Sequence, residues 1–239
     1  MNSPTSTSTF KPNLRFERGL DSYRFSERKL SETPNLWSFP LLEARKRSRG
    51  VLEPVLARMQ DDPRFKEQEL RVAQGKVKSY VDSWFTQTTT GQVPSPYGLH
   101  VDGSKKSPQG WDLDNLGSND EAWMFLMVLS GQNGSSNPLF VTDTFSVLRE
   151  ELDPKAPFVT LHRTAFPQVL DGRLKSTSLP SGVLAVYNGN TVHTAMPTRV
   201  QRGKYLPRVL VRVSFLPHHY PYAQIQRRPN EVPLFEPRC

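Results

Sequence analysis

Two histidines, one carboxylate and one arginine, scattered over half the chain, constrain this fold more than any stretch of it does. His100-Val101-Asp102 is followed far downstream by His193 and then by Arg208. Two imidazoles and one carboxylate on one face of a metal form the ligand set of mononuclear non-haem Fe(II) sites, leaving three coordination positions open. His100 and Asp102 stand two apart, so on a strand both project to the same face, whereas a helix would separate them. A sheet fold that returns His193 to that face is therefore required.

The local patterns supply such strands. Gly182-Val183-Leu184-Ala185-Val186-Tyr187 reads as a strand, Asn188-Gly189-Asn190 as a tight turn, and Thr191 to Thr198 as the returning strand that carries His193. Tyr205 to Phe215 is dominated by β-branched residues and forms a third. On it Arg208, Leu210, Arg212 and Ser214 share one face, and Val209, Val211, Val213 and Phe215 the other. The apolar face is expected to pack outward, and the arginine face to line a polar cavity inside a barrel. A guanidinium there is a rigid, permanently charged fork for a carboxylate, suited to hold the far end of 2-oxoglutarate while its 2-oxo acid end chelates iron. Arg208 is the first candidate for that anchor, with Arg212 as the alternative and Ser214 as an added hydroxyl contact.

The remaining chain reads as one domain over residues 20–239, preceded by a disordered polar tail over 1–19. Leu20 to Leu30 alternates enough for a strand. Leu52, Val55, Leu56 and Met59 mark one face of a helix, and Val77, Tyr80, Val81, Trp84 and Phe85 fit a second helix over 77–85 better than a strand, with Lys76 to Tyr80 compatible with either. Residues 104–121, rich in Gly, Asp, Asn and Ser, form a long loop directly after the ligand pair, long enough to act as a lid. Trp123 to Leu129 and Pro138 to Thr142 are core strands, and Phe145 to Leu152 is a short helix. Two more strands are expected over Phe158 to Arg163 and Arg173 to Leu179.

Composition limits the other readings. The net charge of +8 is spread over both ends of the chain. Its densest cluster, Arg45-Lys46-Arg47-Ser48-Arg49, lacks the interleaved aromatics on which nucleic-acid bases stack, so a solvated helix face is expected and no nucleic-acid partner. The longest apolar run, Ala122 to Leu129, is too short for a bilayer, and no membrane association is expected. The one cysteine, Cys239, permits no intrachain disulfide, and no apolar signal segment is visible, so a cytoplasmic location is expected.

The segments around His100-Val101-Asp102, His193-Thr194-Ala195-Met196-Pro197 and Pro207 to Phe215 resemble the Fe(II)/2-oxoglutarate dioxygenases that hydroxylate free aliphatic amino acids, the L-isoleucine dioxygenase-like enzymes, over roughly residues 97–216. The resemblance implies a mainly β fold, a double-stranded β-helix of the jelly-roll or cupin type with a few flanking helices. It implies His100, Asp102 and His193 as iron ligands, Arg208 as the 2-oxoglutarate anchor, O2 as the oxidant, and succinate and CO2 as products. The carboxylate at Asp102 disfavours halogenation, which needs a small residue there. The segment containing Arg24 and Arg28 is similar to an arginine- and tyrosine-rich strand near the family's N-terminus. Arg24, Arg28, Tyr97 and Trp111 are candidate substrate contacts. The 104–121 stretch is longer than its counterpart in the isoleucine enzymes.

The function expected is oxidation of a C–H bond, by hydroxylation first of all, in a free amino acid or related natural-product intermediate. The alternatives are an oxygenase acting on nucleic acid or protein, and a non-catalytic cupin-like binding module. His162 is a substitute ligand of lower rank, otherwise an ordinary strand histidine. His218-His219 reads as loop surface.

Overall fold

A strand that is apolar on both faces has to be covered on both, and this requirement organises the molecule. The computed structural model describes residues 6–20, 30–93, 98–104, 106–107, 109–130 and 134–217. Its elements run β1 (Thr7–Phe10), β2 (Leu14–Glu17), β3 (Leu36–Pro40), α1 (Leu41–Ser48), α2 (Glu53–Gln60), α3 (Pro63–Ala73) and β4 (Val77–Thr88). Next come β5 (Lys106–Ser107), β6 (Gly110–Trp111), β7 (Trp123–Ser130), β8 (Gly134–Ser135), β9 (Leu139–Val141), β10 (Phe145–Leu148) and α4 (Pro157–Leu170). The chain closes with β11 (Ser176–Ser178), β12 (Leu184–Asn188), β13 (His193–Thr194), β14 (Arg199–Val200) and β15 (Leu206–Pro217).

The larger sheet has the antiparallel order β2-β12-β7-β15-β4-β3, and the smaller has the order β11-β9-β13. Together they make a jelly-roll core, mainly β with helices outside. The larger sheet's outer residues, among them Phe125, Met127, Val209, Val211, Val213 and Phe215, pack against Leu52, Val55, Leu56, Met59 and Phe65 of the α1–α3 segment. Its inner residues Met124, Leu126, Val128, Ala185, Tyr187 and Leu210 meet Phe140 of the smaller sheet. Leu161 and Ala165 of α4 cover the smaller sheet's far side together with Val141, Leu99, Val101 and Val192. Every residue of β7 and β12 is buried, as expected for strands sandwiched between two layers.

Several expectations are corrected. Residues 77–85 are strand, not helix: Val77, Val81 and Phe85 face the helices, whereas Tyr80 and Trp84 pack into the inner cluster. Both faces of that strand carry apolar groups, which reproduces helical spacing without a helix. The tail expected over 1–19 has strands in its described part, residues 6–19, and one of them is linked to the helix expected over 145–152. Thr7–Phe10 pairs in antiparallel register with Phe145–Leu148, and Phe10 stacks on Phe145 at 5.2 Å. Only Arg149–Glu151 is helical there, as one 3-10 turn. β2 is anchored as well, because Arg15 donates to both oxygens of Asp62 at 2.6 and 2.8 Å, and that carboxylate caps α3. Residues 158–163 belong to α4, not to a strand, with Pro157 at its first position. The strand expected over 173–179 shortens to β11. The one expected over 20–30 lies, but for its two ends, outside the described residues.

Phe65 meets Phe125 and Phe215 edge-on, each at 4.9 Å, and is fully buried between α3 and the larger sheet. Replacing it with alanine removes the keystone of the helix layer. F65A should lose about 3–5 kcal/mol in equilibrium urea unfolding; a loss below about 1 kcal/mol would contradict this packing role.

Candidate metal centre

The two histidines are brought together by the backbone. His100 N–H donates to the His193 carbonyl and His193 N–H to the His100 carbonyl, both at 2.9 Å, an isolated antiparallel bridge. Their rings consequently lie 4.4 Å apart, centroid to centroid. The regular strands expected around each are short: His100 has only this bridge before a turn at Asp102 and Gly103, and β13 spans two residues. Alternation nonetheless holds. Leu99, Val101 and Val192 point into the α4 core, and His100, Asp102 and His193 point between the sheets.

Each imidazole is fixed in orientation and tautomer. His100 Nδ1 lies 2.8 Å from the Gly98 carbonyl and His193 Nδ1 lies 3.1 Å from the Thr191 carbonyl. A carbonyl only accepts, so each Nδ1 carries the proton and each Nε2 presents a lone pair, as a metal-binding histidine requires. Gly98 adopts φ +116°, a backbone setting that side-chain-bearing residues rarely take. Its N–H donates to Thr194 Oγ1 at 3.0 Å, tying the two ligand segments together again. Phe140 and Tyr187 pack on the His193 ring at 5.2 and 5.3 Å. Phe158 lies 6.2 Å from His100.

One ligand atom from each of His100, Asp102 and His193 falls within 4.8 Å of the others, a cluster able to hold a metal ion. Asp102 Oδ2 is 3.3 Å from His193 Nε2 and accepts from the Tyr187 hydroxyl at 2.7 Å. Asp102 Oδ1 accepts from Arg212 Nη1. Burial alone would raise the Asp102 carboxyl, but the charge of Arg212, seconded by His193, holds it well below the ordinary carboxylate range. It is therefore held anionic, the state in which a carboxylate can ligate a metal.

Arg208 is completely buried on β15. Its Nε donates to the Ser136 carbonyl at 3.1 Å, while Nη1 and Nη2 have no hydrogen-bond partner among the described residues. Desolvation lowers its pKa to about 10, so it stays charged at neutral pH. The hydroxyl of Ser136 and Oδ1 of Asn137 beside it are likewise buried without partners. A buried, open-ended cation with unsatisfied polar neighbours is costly unless an anion completes it. A carboxylate fits the two Nη donors of Arg208, and the His/Asp/His donor set fits Fe(II).

The other expected residues fall in different places. Arg212 commits Nη1 to Asp102 and both Nε and Nη2 to Asp82, at 3.2 and 2.7 Å, so it supports the carboxylate ligand rather than awaiting a diacid. Ser214 sits on the same inner face six residues from Arg208, roughly 20 Å along the strand at ~3.3 Å per residue, too far to share one small diacid with it. Its hydroxyl is buried without a partner among the described residues. Trp111 packs edge-on against Phe158 at 4.9 Å, one ring removed from His100. Tyr97, Arg24, Arg28 and His218-His219 lie outside the described residues. His162 is on helix α4, not a strand, and its Nδ1 accepts from Leu99 N–H at 3.2 Å. Burial lowers its pKa, in keeping with a neutral acceptor that pins the ligand segment from behind.

The 104–121 stretch is fastened at Trp111, Leu116, Asn119 and Asp120. Trp111 N–H donates to the Pro154 carbonyl at 2.7 Å, Leu116 is buried against α4's cluster, and Asn119 N–H donates to Asn190 Oδ1 at 2.6 Å. Asp120 in turn accepts from Asn188 and Asn190 at 3.0 and 2.7 Å, securing the turn that leads into His193. The sequence reading missed Tyr187, Asp82, Ser136 and this Asp120 clamp. Only Tyr187 had a visible signal, its place on the inner face of a predicted strand.

No family model matches the chain, and no curated protein matches it. Among solved structures, HygX from Streptomyces hygroscopicus with nickel and 2-oxoglutarate bound is 16% identical, covering 89% of this chain and 84% of that one at a TM-score of 0.41. EvdO2 from Micromonospora carbonacea var. aurantiaca, complexed with 2-oxoglutarate, is 13% identical over 77% of this chain and 68% of its own, TM-score 0.36. An N-substituted L-amino acid dioxygenase from Burkholderia ambifaria AMMD is 10% identical over 78% and 71%, TM-score 0.34. Likeness at this distance assigns no residue a role, and the bonding around His100, Asp102, His193 and Arg208 stands without it.

H193A should abolish Co(II) binding in anaerobic isothermal titration, whereas H162A should retain it. Equal loss in both variants would contradict the ligand set.

Proposed function

We propose that this chain is an Fe(II)- and 2-oxoglutarate-dependent oxygenase that oxidises a C–H bond of a small molecule, an amino acid or a related natural-product intermediate. The observation that carries the reading is the pairing of the His100, Asp102 and His193 cluster, in which backbone carbonyls engage both Nδ1 atoms, with a buried arginine whose Nη1 and Nη2 have no hydrogen-bond partner among the described residues. His100, Asp102 and His193 would hold the iron, and Arg208 the distal carboxylate of 2-oxoglutarate. When bound, these groups with O2 supply oxidation of the substrate coupled to conversion of 2-oxoglutarate to succinate and CO2.

The protein's own part is geometry and exclusion. The Gly98 and Thr191 carbonyls hold both imidazoles in the coordinating tautomer. Arg208 lies roughly 13 Å along the inner face of β15 from Arg212, four residues at ~3.3 Å each, and Arg212 touches Asp102, so Arg208 would hold the far carboxylate of a diacid whose other end reaches toward the cluster. Phe140, Phe158 and Tyr187 surround the histidine rings with apolar surface that keeps water away from the reacting centre. Trp111, beyond Phe158, is the candidate wall for the substrate. The buried counter-charge at Arg208 also favours a dianionic cosubstrate over neutral competitors.

The direct test is anaerobic addition of Fe(II) and 2-oxoglutarate to the purified protein, followed by admission of O2 in the presence of amino acids and biosynthetic intermediates and a mass-spectrometric screen of the products. A weak visible charge-transfer band and a product heavier by one oxygen, or lighter by two hydrogens, are expected. Lack of the band would favour a non-catalytic binding module. R208M should weaken 2-oxoglutarate binding by at least roughly 30-fold, from the ~2–5 kcal/mol that loss of one partner of a buried charge pair costs. The ligand-free variant should be as stable as the parent or more so, by up to about 4 kcal/mol, since an uncompensated buried cation has been removed. Unchanged 2-oxoglutarate affinity would place the diacid elsewhere.

A further inference from the structure

Behind the metal cluster runs a chain of alternating charges that no ligand role explains. Arg212 is paired across the β4–β15 ladder with Asp82, residue opposite residue, and its side chain bridges Asp82 and Asp102. Asp82 is buried, with 2% of its surface exposed. Its Oδ2 accepts from Nε and Nη2 of Arg212, and its Oδ1 accepts from the Ser38 N–H at 2.7 Å. That N–H is available because β3 is irregular between Leu36 and Phe39, where Ser38 takes φ +54°. A serine in the left-handed region is strained, and such strain persists only where the surroundings enforce it. Both oxygens of a carboxylate that touches no ligand atom are thus held in place.

Resting on the metal-site reading above, we propose that Asp82 is a positioning residue for the metal centre, acting through Arg212. Arg212 occupies Oδ1 of Asp102, leaving Oδ2 toward the histidine nitrogens and so favouring one-oxygen coordination. An arginine alone would neutralise Asp102 and weaken it as a ligand for a dication. Asp82 supplies the compensating charge, so the Asp82–Arg212–Asp102 unit keeps one net negative charge at the ligand. A simple structural ion pair needs one carboxylate; the second is what preserves ligand strength while the guanidinium fixes geometry.

The test is a double-mutant cycle read by anaerobic Co(II) titration, using calorimetric affinity and the Co(II) visible spectrum, without turnover. D82N keeps an acceptor for the Ser38 N–H but leaves the full charge of Arg212 on Asp102. Its Co(II) affinity should fall by about 10–100-fold, the range typical of lost ligand-supporting groups. Removing the arginine as well, in D82N/R212M, should recover affinity to within roughly tenfold of the parent, because no cation then offsets the charge of Asp102. Circular dichroism of each variant accompanies the titrations, and if D82N does not fold, D82S and D82S/R212M give the same comparison. A double variant no better than the single one, or a D82N chain that binds like the parent, would overturn the inference while leaving the metal site intact. Failure of the parent chain to bind Co(II) would instead overturn the metal reading and this inference with it.

Discussion

The reciprocal pair of backbone hydrogen bonds between His100 and His193 is the constraint on which the site depends. Two segments distant in sequence meet at one residue pair, and the pleat then sends both imidazoles to the same side while Leu99, Val101 and Val192 go to the other. Little regular strand surrounds the pair, so neighbouring groups carry out the alignment that a longer ladder would provide. Thr194 binds Gly98, His162 binds Leu99, and Asp120 holds the Asn188–Asn190 turn. Backbone bonds are well suited to this task, because their geometry survives changes in the surrounding side chains.

Charge is distributed over the inner face of β15 in two ways that differ in kind. Arg212 is satisfied on both sides by carboxylates and belongs to the protein's resting architecture. Arg208 is buried, and its Nη1 and Nη2 have no hydrogen-bond partner among the described residues. Two arginines four residues apart on one face thereby separate into one paired with carboxylates and one that is not, a distinction made by whether an acid side chain stands opposite: Asp82 faces Arg212, whereas Thr86 and Ser130 face Arg208. Affinity for a diacid gained in this way comes at the cost of apo stability, the common exchange at binding sites.

The sequence made the His100, Asp102 and His193 cluster legible because its chemistry and spacing are local properties. His100 and Asp102 two apart, an Asn-Gly turn before His193, and the alternation from Arg208 to Phe215 all survive in the structure as residues facing the same interior. What was not legible depended on partners far away. Val77 to Phe85 carries apolar groups on both strand faces and so imitates a helical period; only the presence of a helix layer on one side and a sheet on the other resolves it. Thr7 to Phe10 has little hydrophobicity of its own and becomes a strand because Phe145 to Leu148 offers an edge. Phe158 to Arg163 is rich in β-branched and aromatic residues, yet Phe158, Leu161 and Ala165 already had helical spacing, and tertiary packing chose the helix. The task of Arg212 could not be separated from that of Arg208 by pattern, since Asp82 sits on a strand that pattern had assigned to a helix.

The central claim is that three side chains, His100, Asp102 and His193, coordinate one ferrous ion. A crystal structure of the protein grown anaerobically with Fe(II) and 2-oxoglutarate, with anomalous data at the iron edge, measures this most directly. The account predicts a single strong anomalous peak bonded to Nε2 of both histidines and to one oxygen of Asp102, with Arg208 gripping the far carboxylate. Iron bound through Nδ1, or at other residues, or a diacid seated away from Arg208, would contradict it.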